Sequence, residues 1–311
     1  MPEASVLSGQ MPLAVSARAQ PHDLTTSRPH DHSPARLTPI TRSILAVRMN
    51  PTRPITGTVA ARIPYANAAP FYALWADAPF AVRNLPPRDL GREAEAGSVD
   101  LGLMATGDFL RLRDRFEMLA PMGVAARGAV LSVLLFSRRP ANALGDALIS
   151  VTPETSTSIR LLKLLLNVRR GLTGVRFVRG LEPAQADGLL LIGDTAMATR
   201  SRPPEGIVHT LDLGADWLEW TGLPFVYAAW AVRSALEPAL KTELRAFLEA
   251  SLAAGLTSLP EVARRVAIAG WSHAEMEGYL RRFHYRFGPE ELQGLARFEA
   301  LLGEHGLLAA D

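Results

Sequence analysis

Residues 130–140 read Val-Leu-Ser-Val-Leu-Leu-Phe-Ser-Arg-Arg-Pro, an apolar run that two arginines and a proline end. A run of this length predicts a strand buried on both faces. Residues 223–233, Leu-Pro-Phe-Val-Tyr-Ala-Ala-Trp-Ala-Val-Arg, have the same character. We expect these two stretches to carry the chain out of one lobe and back. The predicted fold is therefore α/β with two lobes, and the interlobe cleft is the expected ligand site.

The composition is that of an ordinary globular protein. Of 311 residues, 48% are hydrophobic and 21% are charged, which suits two lobes with a large core. The 33 basic and 31 acidic residues give a net charge of +2. Since no basic stripe alternates with aromatic residues, nucleic acid is not an expected partner. The chain has no cysteine, which excludes a thiolate nucleophile and Cys-ligated metal centres.

The N-terminal segment, residues 1–54, differs from the rest. It is rich in Ser, Thr, Pro and Arg without a sustained period, which predicts a disordered tail. Its Pro-His-Asp-His at 29–32 is interpreted as part of that tail, and no metal site is predicted. Globular sequence begins abruptly after Pro54, so Met49 is a candidate start of translation. The sequence contains no secretory signal and no apolar stretch of the roughly 18 residues that span a membrane, so we expect a cytoplasmic protein without membrane contact.

The expected lobes are discontinuous in sequence. We assign residues 55–138 to the first part of lobe 1, residues 139–224 to lobe 2, and residues 225–311 to a return strand and C-terminal helices that complete lobe 1. Apolar residues at helical spacing predict an all-helical region after Arg233, over 237–254, 259–268, 272–283 and 289–305. Ser272 and Glu275 fit a capping box, which makes His273 a surface residue.

Two turns of the first lobe are candidate ligand contacts. Asn67 follows a predicted strand at 58–64, at the strand end where open α/β sheets bind ligands. Asn is also a preferred helix N-cap, so capping alone would explain it. Thr106 and Gly107 occupy the same kind of turn, where free N–H groups attract anions or where a plain cap suffices.

The remaining candidates lie in the crossover and the second lobe. Ser132 is a hydroxyl set inside the apolar part of the crossover run, residues 130–136, and hydrogen bonding to a neighbouring backbone group would account for it. Thr155 to Ser158 form a hydroxyl-rich turn before an apolar helix at 159–168, a suitable cradle for a carboxylate or phosphate. Asp194 ends a buried strand and either faces the ligand or, as we favour, caps the helix at 195–199.

Several stretches resemble the chorismate dehydratase family of menaquinone biosynthesis. They are Ile63-Pro-Tyr-Ala-Asn-Ala-Ala-Pro70, residues 128–137, Leu191-Ile-Gly-Asp194, residues 212–230 and residues 285–307. The resemblance covers residues 57–308. The sibling enzyme of the futalosine route, 1,4-dihydroxy-6-naphthoate synthase, shares the fold, but residues 221–230 are more similar to the dehydratase.

The resemblance implies a type II periplasmic-binding-protein-like fold and a hydro-lyase, a carbon–oxygen lyase that needs no cofactor. Its small-molecule substrate would be chorismate, converted to 3-[(1-carboxyvinyl)oxy]benzoate and water. By position, Asn67 and Ser132 match the catalytic residues. The expected substrate-binding residues are Tyr65, Thr106, Gly107, Thr155, Thr157, Ser158 and Asp194. The sequence departs from the family pattern at Ala126, where serine is expected, and at Ala105-Thr106, where Pro-Ser is expected.

The candidate residues also suggest a mechanism. General acid–base catalysis usually uses His or a tuned carboxylate, yet no histidine falls in a cleft-facing turn. The enolpyruvyl carboxylate of the substrate could take the proton while Asn67 and Ser132 orient it, and Asp194 is the competing base. Because this fold also serves solute-binding proteins, a carboxylate-binding protein without chemistry is the alternative, and the missing export signal argues against it. The sequence leaves the oligomeric state open.

Overall fold

The computed structural model describes residues 57–309. The predicted tail over 1–54, its histidines and the candidate start at Met49 lie outside these residues. Within the described part of the chain, no helix combines the length and the apolar character needed to cross a membrane.

The first sheet has six strands among the described residues, in the order β11-β4-β10-β3-β1-β2. Its strands are β1 (Val59–Arg62), β2 (Ala81–Asn84), β3 (Leu101–Ala105), β4 (Phe116–Ala126), β10 (Phe225–Arg233) and β11 (Phe283–Arg286). β1 runs parallel to β2 and β3, whereas β10 is antiparallel to β3 and β4. β10 is buried along almost its whole length, as its unbroken apolar sequence predicts.

The second sheet has five strands in the described chain, in the order β7-β6-β8-β5-β9. Its strands are β5 (Val133–Ser137), β6 (Leu148–Val151), β7 (Arg176–Arg179), β8 (Gly188–Ile192) and β9 (His209–Asp212). β5 pairs antiparallel with β8 and β9. β5 therefore belongs to the second sheet, although it falls within residues 55–138, the segment predicted to form the first part of lobe 1. The passages between the sheets fall at 127–132 and just before Phe225, and the exact extents of the lobes stay predictions.

Helices cover both sheets. They are α1 (Pro87–Glu95), α2 (Thr106–Arg111), α3 (Thr157–Lys163), α4 (Gly193–Ser201), α5 (Leu213–Thr221), α6 (Pro238–Thr257), α7 (Leu259–Arg265), α8 (His273–Leu280) and α9 (Pro289–Glu304). A 3₁₀ helix, Ala66–Tyr72, follows β1, and a π-helical turn, Leu164–Val168, continues α3. The capping box of Ser272 and Glu275 is confirmed.

The prediction that everything after Arg233 is helical is wrong. β11 pairs antiparallel with β4 at the edge of the first sheet. In β11 the buried Phe283 and Tyr285 alternate with exposed residues, which is the period of a half-buried strand. Four residues between two helices are too few for that period to stand out in the sequence.

Aromatic packing fixes the 3₁₀ helix on the first sheet. Trp230 of β10 lies with its ring centroid 5.5 Å from that of Phe71 and 5.8 Å from that of Trp75. From α6, the Ser251 hydroxyl donates to the Phe71 carbonyl (2.6 Å) and accepts from the Leu74 N–H (3.1 Å). The segment that carries Asn67 is therefore held by both the sheet and a long helix.

Candidate active site

A pocket with about 560 Å³ of space not filled by protein atoms, part of it open to solvent, lies between the two sheets. Its walls come from both lobes and from the first crossover. The polar residues among them are Tyr65, Asn67, Ser132, Thr155, Ser156, Thr157, Ser158 and Tyr227. Within the described chain no Lys, Arg or His lines this pocket. Any anion bound there would be held by neutral hydrogen-bond donors.

Asn67 faces this pocket from the first turn of the 3₁₀ helix. The N-cap of that helix is Tyr65, and no side chain caps it, so capping is wrong as the explanation of Asn67. Asn67 is half-buried, and its side chain takes part in none of the hydrogen bonds found within residues 57–309. Its amide is therefore available to a ligand.

Ser132 lies on the first crossover, in a backbone segment that is held on several sides. The carboxylate of Asp212 accepts the N–H groups of Val130 (3.0 Å) and Leu131 (2.8 Å), and Leu131 has a φ of 63°. The Ser132 carbonyl accepts the Gly193 N–H at 2.7 Å. These bonds hold the serine at the pocket wall.

The Ser132 hydroxyl borders the pocket and has two hydrogen-bond partners within the protein. It lies 3.3 Å from the Val130 carbonyl, so the expected bond to a neighbouring backbone group exists, although it is long. The Tyr279 hydroxyl lies 2.8 Å away on the other side. Ser132 therefore both satisfies a local contact and borders the ligand space.

The hydroxyl-rich turn contributes all four of its residues to the pocket wall. The Thr155 hydroxyl is buried and has no hydrogen-bond partner within the described residues. The Ser156 hydroxyl accepts from Arg160 (3.0 Å), and the Thr157 hydroxyl accepts the Gly107 N–H (2.9 Å). Thr155 is thus the member of the turn whose hydroxyl oxygen is fully buried without a partner in the described chain.

Three of the sequence-predicted residues lie outside the pocket wall. Thr106 donates its hydroxyl to the Val226 carbonyl (2.7 Å), and the Gly107 N–H is taken by Thr157. Asp194 accepts the Ala66 N–H at 3.2 Å across the cleft. The N-cap of α4 is Ile192, with no side-chain bond, so the favoured capping interpretation of Asp194 is wrong. Burial raises the pKa of Asp194, which the Ala66 N–H partly opposes.

Tyr65 joins the lobes at the mouth of the pocket. Its hydroxyl donates to the carboxylate of Glu154, the residue just before the hydroxyl-rich turn. Its ring lies against Gly193, where an added Cβ would come within 3.2 Å of the ring. Burial raises the pKa of the Tyr65 hydroxyl, and Glu154 raises it further, so the tyrosine stays neutral and remains a donor. The sequence did not single out Glu154, because a lone carboxylate in a turn carries no distinctive pattern.

Tyr227 is a second residue that the sequence analysis missed. It belongs to β10 and lines the pocket, and its hydroxyl is buried without a partner within the described residues. Gly214 makes room for it, since a Cβ there would lie 2.4 Å from the Tyr227 oxygen. Tyr227 lies in the second apolar stretch, residues 223–233. Its hydroxyl among apolar neighbours was the feature of the sequence that could have indicated a site residue.

Residues 58–304 match the family model described as menaquinone biosynthesis. The chain belongs to the menaquinone biosynthesis family. It is 35% identical to the chorismate dehydratase of Thermus thermophilus over 77% of this chain and 93% of that protein. It is 30% identical to the 1,4-dihydroxy-6-naphthoate synthase of the same organism, over 71% and 82% of the two chains.

Solved structures agree on the fold of this family member. A protein from Archaeoglobus fulgidus aligns with a TM-score of 0.66 at 17% identity, over 80% of this chain and 97% of that one. The periplasmic aliphatic sulphonate binding protein of Escherichia coli aligns with a TM-score of 0.56 at 14% identity, over 81% and 93%. The fold is therefore periplasmic-binding-protein-like, as the sequence resemblance implied, and at these identities the likeness concerns the fold alone.

Proposed function

We propose that this protein is a chorismate dehydratase, a hydro-lyase that removes water from chorismate to give 3-[(1-carboxyvinyl)oxy]benzoate. The observation that carries the proposal is that Asn67 and Ser132, from separate parts of the chain, line one pocket. The family membership and the similarity to a named dehydratase support the same choice.

The pocket suits a small dicarboxylate. The unpaired hydroxyls of Thr155 and Tyr227 are donors that lack an acceptor in the protein, so a ligand carboxylate would satisfy them. The Asn67 amide and the Ser132 hydroxyl add further donors at the same wall. Hydrogen bonds to an ionised acceptor are stronger than those between neutral groups, which offsets the lack of a cation.

The reaction is thermodynamically favourable, so the enzyme must direct its course rather than supply free energy. Loss of the ring hydroxyl and of the neighbouring ring proton makes the ring aromatic. In our mechanism the enolpyruvyl carboxylate of the substrate accepts that proton and passes it to the departing ring hydroxyl, which leaves as water, so that the carboxylate is regenerated. Asn67 and Ser132 hold the substrate in the reacting geometry and stabilise the charge that develops on it.

Asp194 is the competing base. Its raised pKa would suit a general base, but its carboxylate accepts the Ala66 N–H and is not part of the pocket wall. Asp194→Asn separates the two mechanisms. We expect turnover within a few-fold of the wild type, whereas a loss of several orders of magnitude in a folded variant would make Asp194 the base.

The proposal is tested by incubating the full chain with chorismate and following the products by chromatography and mass. We expect a product lighter by one water, formed roughly 10²–10³-fold more slowly with Asn67→Ala or Ser132→Ala. Matched controls are Ser150→Ala and Asn84→Ala, which alter a serine and an asparagine away from the pocket.

The other outcomes identify the alternatives. If chorismate is unchanged and the cyclic futalosine derivative used by the sibling enzyme is consumed, the protein is the naphthoate synthase. If both survive and bind, it is a carboxylate-binding protein without chemistry.

A further inference from the structure

Tyr279 connects the C-terminal helices to the pocket. It lies on α8, 147 residues beyond Ser132, and its hydroxyl is 2.8 Å from the Ser132 oxygen. The side chain is 1% exposed. Its ring packs edge-on against Phe283 (5.0 Å between centroids) and Trp271 (6.0 Å). The hydroxyl is therefore held at a fixed place behind the serine.

The direction of this hydrogen bond follows from the chemistry of the two groups. A phenol is more acidic than an aliphatic alcohol and is the better donor. Burial raises the pKa of Tyr279, which keeps its proton in place. Among residues 57–309 its hydroxyl has Ser132 as its hydrogen-bond partner. Tyr279 therefore donates, and Ser132 accepts.

The hydroxyl proton of Ser132 then needs an acceptor of its own. Within the protein the acceptor for that proton is the Val130 carbonyl at 3.3 Å, beyond the usual range for an O–H donor. Hydrogen bonds to Asp212 and Gly193 fix the backbone at Leu131 and Ser132. The Ser132 hydroxyl can therefore change its direction only by rotation. Ser132 lines the pocket, so a substrate oxygen at the usual O–H···O distance of about 2.7–2.8 Å would be a better acceptor than the Val130 carbonyl.

We propose that Tyr279 is a positioning residue. Its hydroxyl donates to the Ser132 oxygen and thereby directs the serine proton toward the substrate. The inference rests on the proposed function. It gives Ser132 a defined role as a hydrogen-bond donor to the departing hydroxyl or to a substrate carboxylate. It also excludes Ser132 as the base, since its oxygen already accepts a hydrogen bond from Tyr279 and its own proton points toward the substrate.

Tyr279→Phe tests this role, because it removes the hydroxyl and keeps the packed ring. We expect kcat to fall about 10-fold with KM changed less than about 3-fold, since the substrate contacts remain and the loss appears in the transition state. In a Ser132→Ala background the same change should have almost no further effect, because the group on which Tyr279 acts is gone.

Tyr285→Phe is the matched control. Tyr285 is also buried in the C-terminal core, but its hydroxyl donates to the Leu280 carbonyl (3.3 Å), so kcat should stay at the wild-type value. Thermal unfolding of each variant establishes that it is folded.

Equal loss in Tyr279→Phe and Tyr285→Phe, or an equal loss from Tyr279→Phe with and without Ser132, would overturn the positioning role while the dehydratase stands. Absence of turnover in the wild type would instead remove the proposed function, and this role with it.

Discussion

At the scale of single residues, the pocket contains hydroxyls that the protein itself does not satisfy. Thr155 and Tyr227 each bury a hydroxyl without a partner within residues 57–309. An unsatisfied buried polar group costs about 1–3 kcal/mol of stability. Such groups are rare in folded proteins, and here both border the ligand space. We expect a substrate acceptor to offset this cost.

Replacement of Tyr227 by Phe should separate binding from stability. We expect KM for chorismate to rise about 10-fold, because one donor to the substrate is lost. The ligand-free variant should melt at or above the wild-type temperature, since an unpaired hydroxyl has left the interior. Tyr72→Phe is the contrast: its hydroxyl accepts the Ile63 N–H (3.0 Å), so that variant should melt lower. A lower melting temperature and an unchanged KM for Tyr227→Phe would contradict the assignment.

Asp194 makes a pH-dependent contribution to stability. Because burial raises its pKa in the folded protein, the native state keeps the proton at a pH where the unfolded chain has lost it. The stability from this group is full below the unfolded pKa and is lost as the pH rises through the folded pKa. Asp194→Asn keeps an oxygen for the Ala66 N–H and cannot ionise. Its melting temperature should exceed that of the wild type near about pH 8, and the difference should shrink towards about pH 4.

The exposed Asp114 provides the control for this measurement, since its Asn variant removes a carboxylate from the surface. A gap between Asp194→Asn and the wild type that stays constant with pH would show that the carboxylate has no such role.

At the scale of elements, the sequence predicted most strands and helices but not the links between them. The apolar runs at 130–140 and 223–233 predicted both crossovers because burial on two faces leaves a continuous apolar pattern. β11 was missed because four residues carry too little period. The bond between Tyr279 and Ser132 joins residues of two separate elements, and no spacing in the sequence encodes such a pair.

Helix α6 sets the position of the 3₁₀ helix that carries Asn67. At Gly255 an added Cβ would lie 2.0 Å from the Pro70 carbonyl oxygen, so Gly255→Ala must push the two elements apart. We expect the free energy of unfolding to fall by about 1–3 kcal/mol and kcat to fall with it, because Asn67 moves with the 3₁₀ helix. Denaturant unfolding and steady-state kinetics measure the two effects.

Gly278→Ala in α8 is the matched control, because an added Cβ there meets no atom within 4 Å. Alanine favours the helix, so this variant should be unchanged or more stable by up to about 1 kcal/mol. Equal behaviour of the two variants would mean that the close approach of α6 does not matter.

At the scale of the whole molecule, polar contacts close the two lobes over the pocket. The Tyr65 hydroxyl binds Glu154, the Ala66 N–H binds Asp194, and the Gly107 N–H binds Thr157. With the lobes joined in this way, we expect a substrate to enter by their separation. The sequence predicted the cleft, but not these contacts, since each joins residues that are far apart in the sequence and lie in different lobes.

Tyr65→Phe should shift the molecule towards an open form. The change removes one link across the cleft and leaves the Tyr65 ring on Gly193 in place. Because the closed state loses a contact that the open state does not make, the ligand-free variant should have a larger radius of gyration in X-ray scattering, and chorismate should restore the compact value. Glu154→Gln retains an oxygen that accepts the Tyr65 proton, so it should stay compact. Identical scattering of Tyr65→Phe and wild type in the ligand-free state would mean that this link does not control closure.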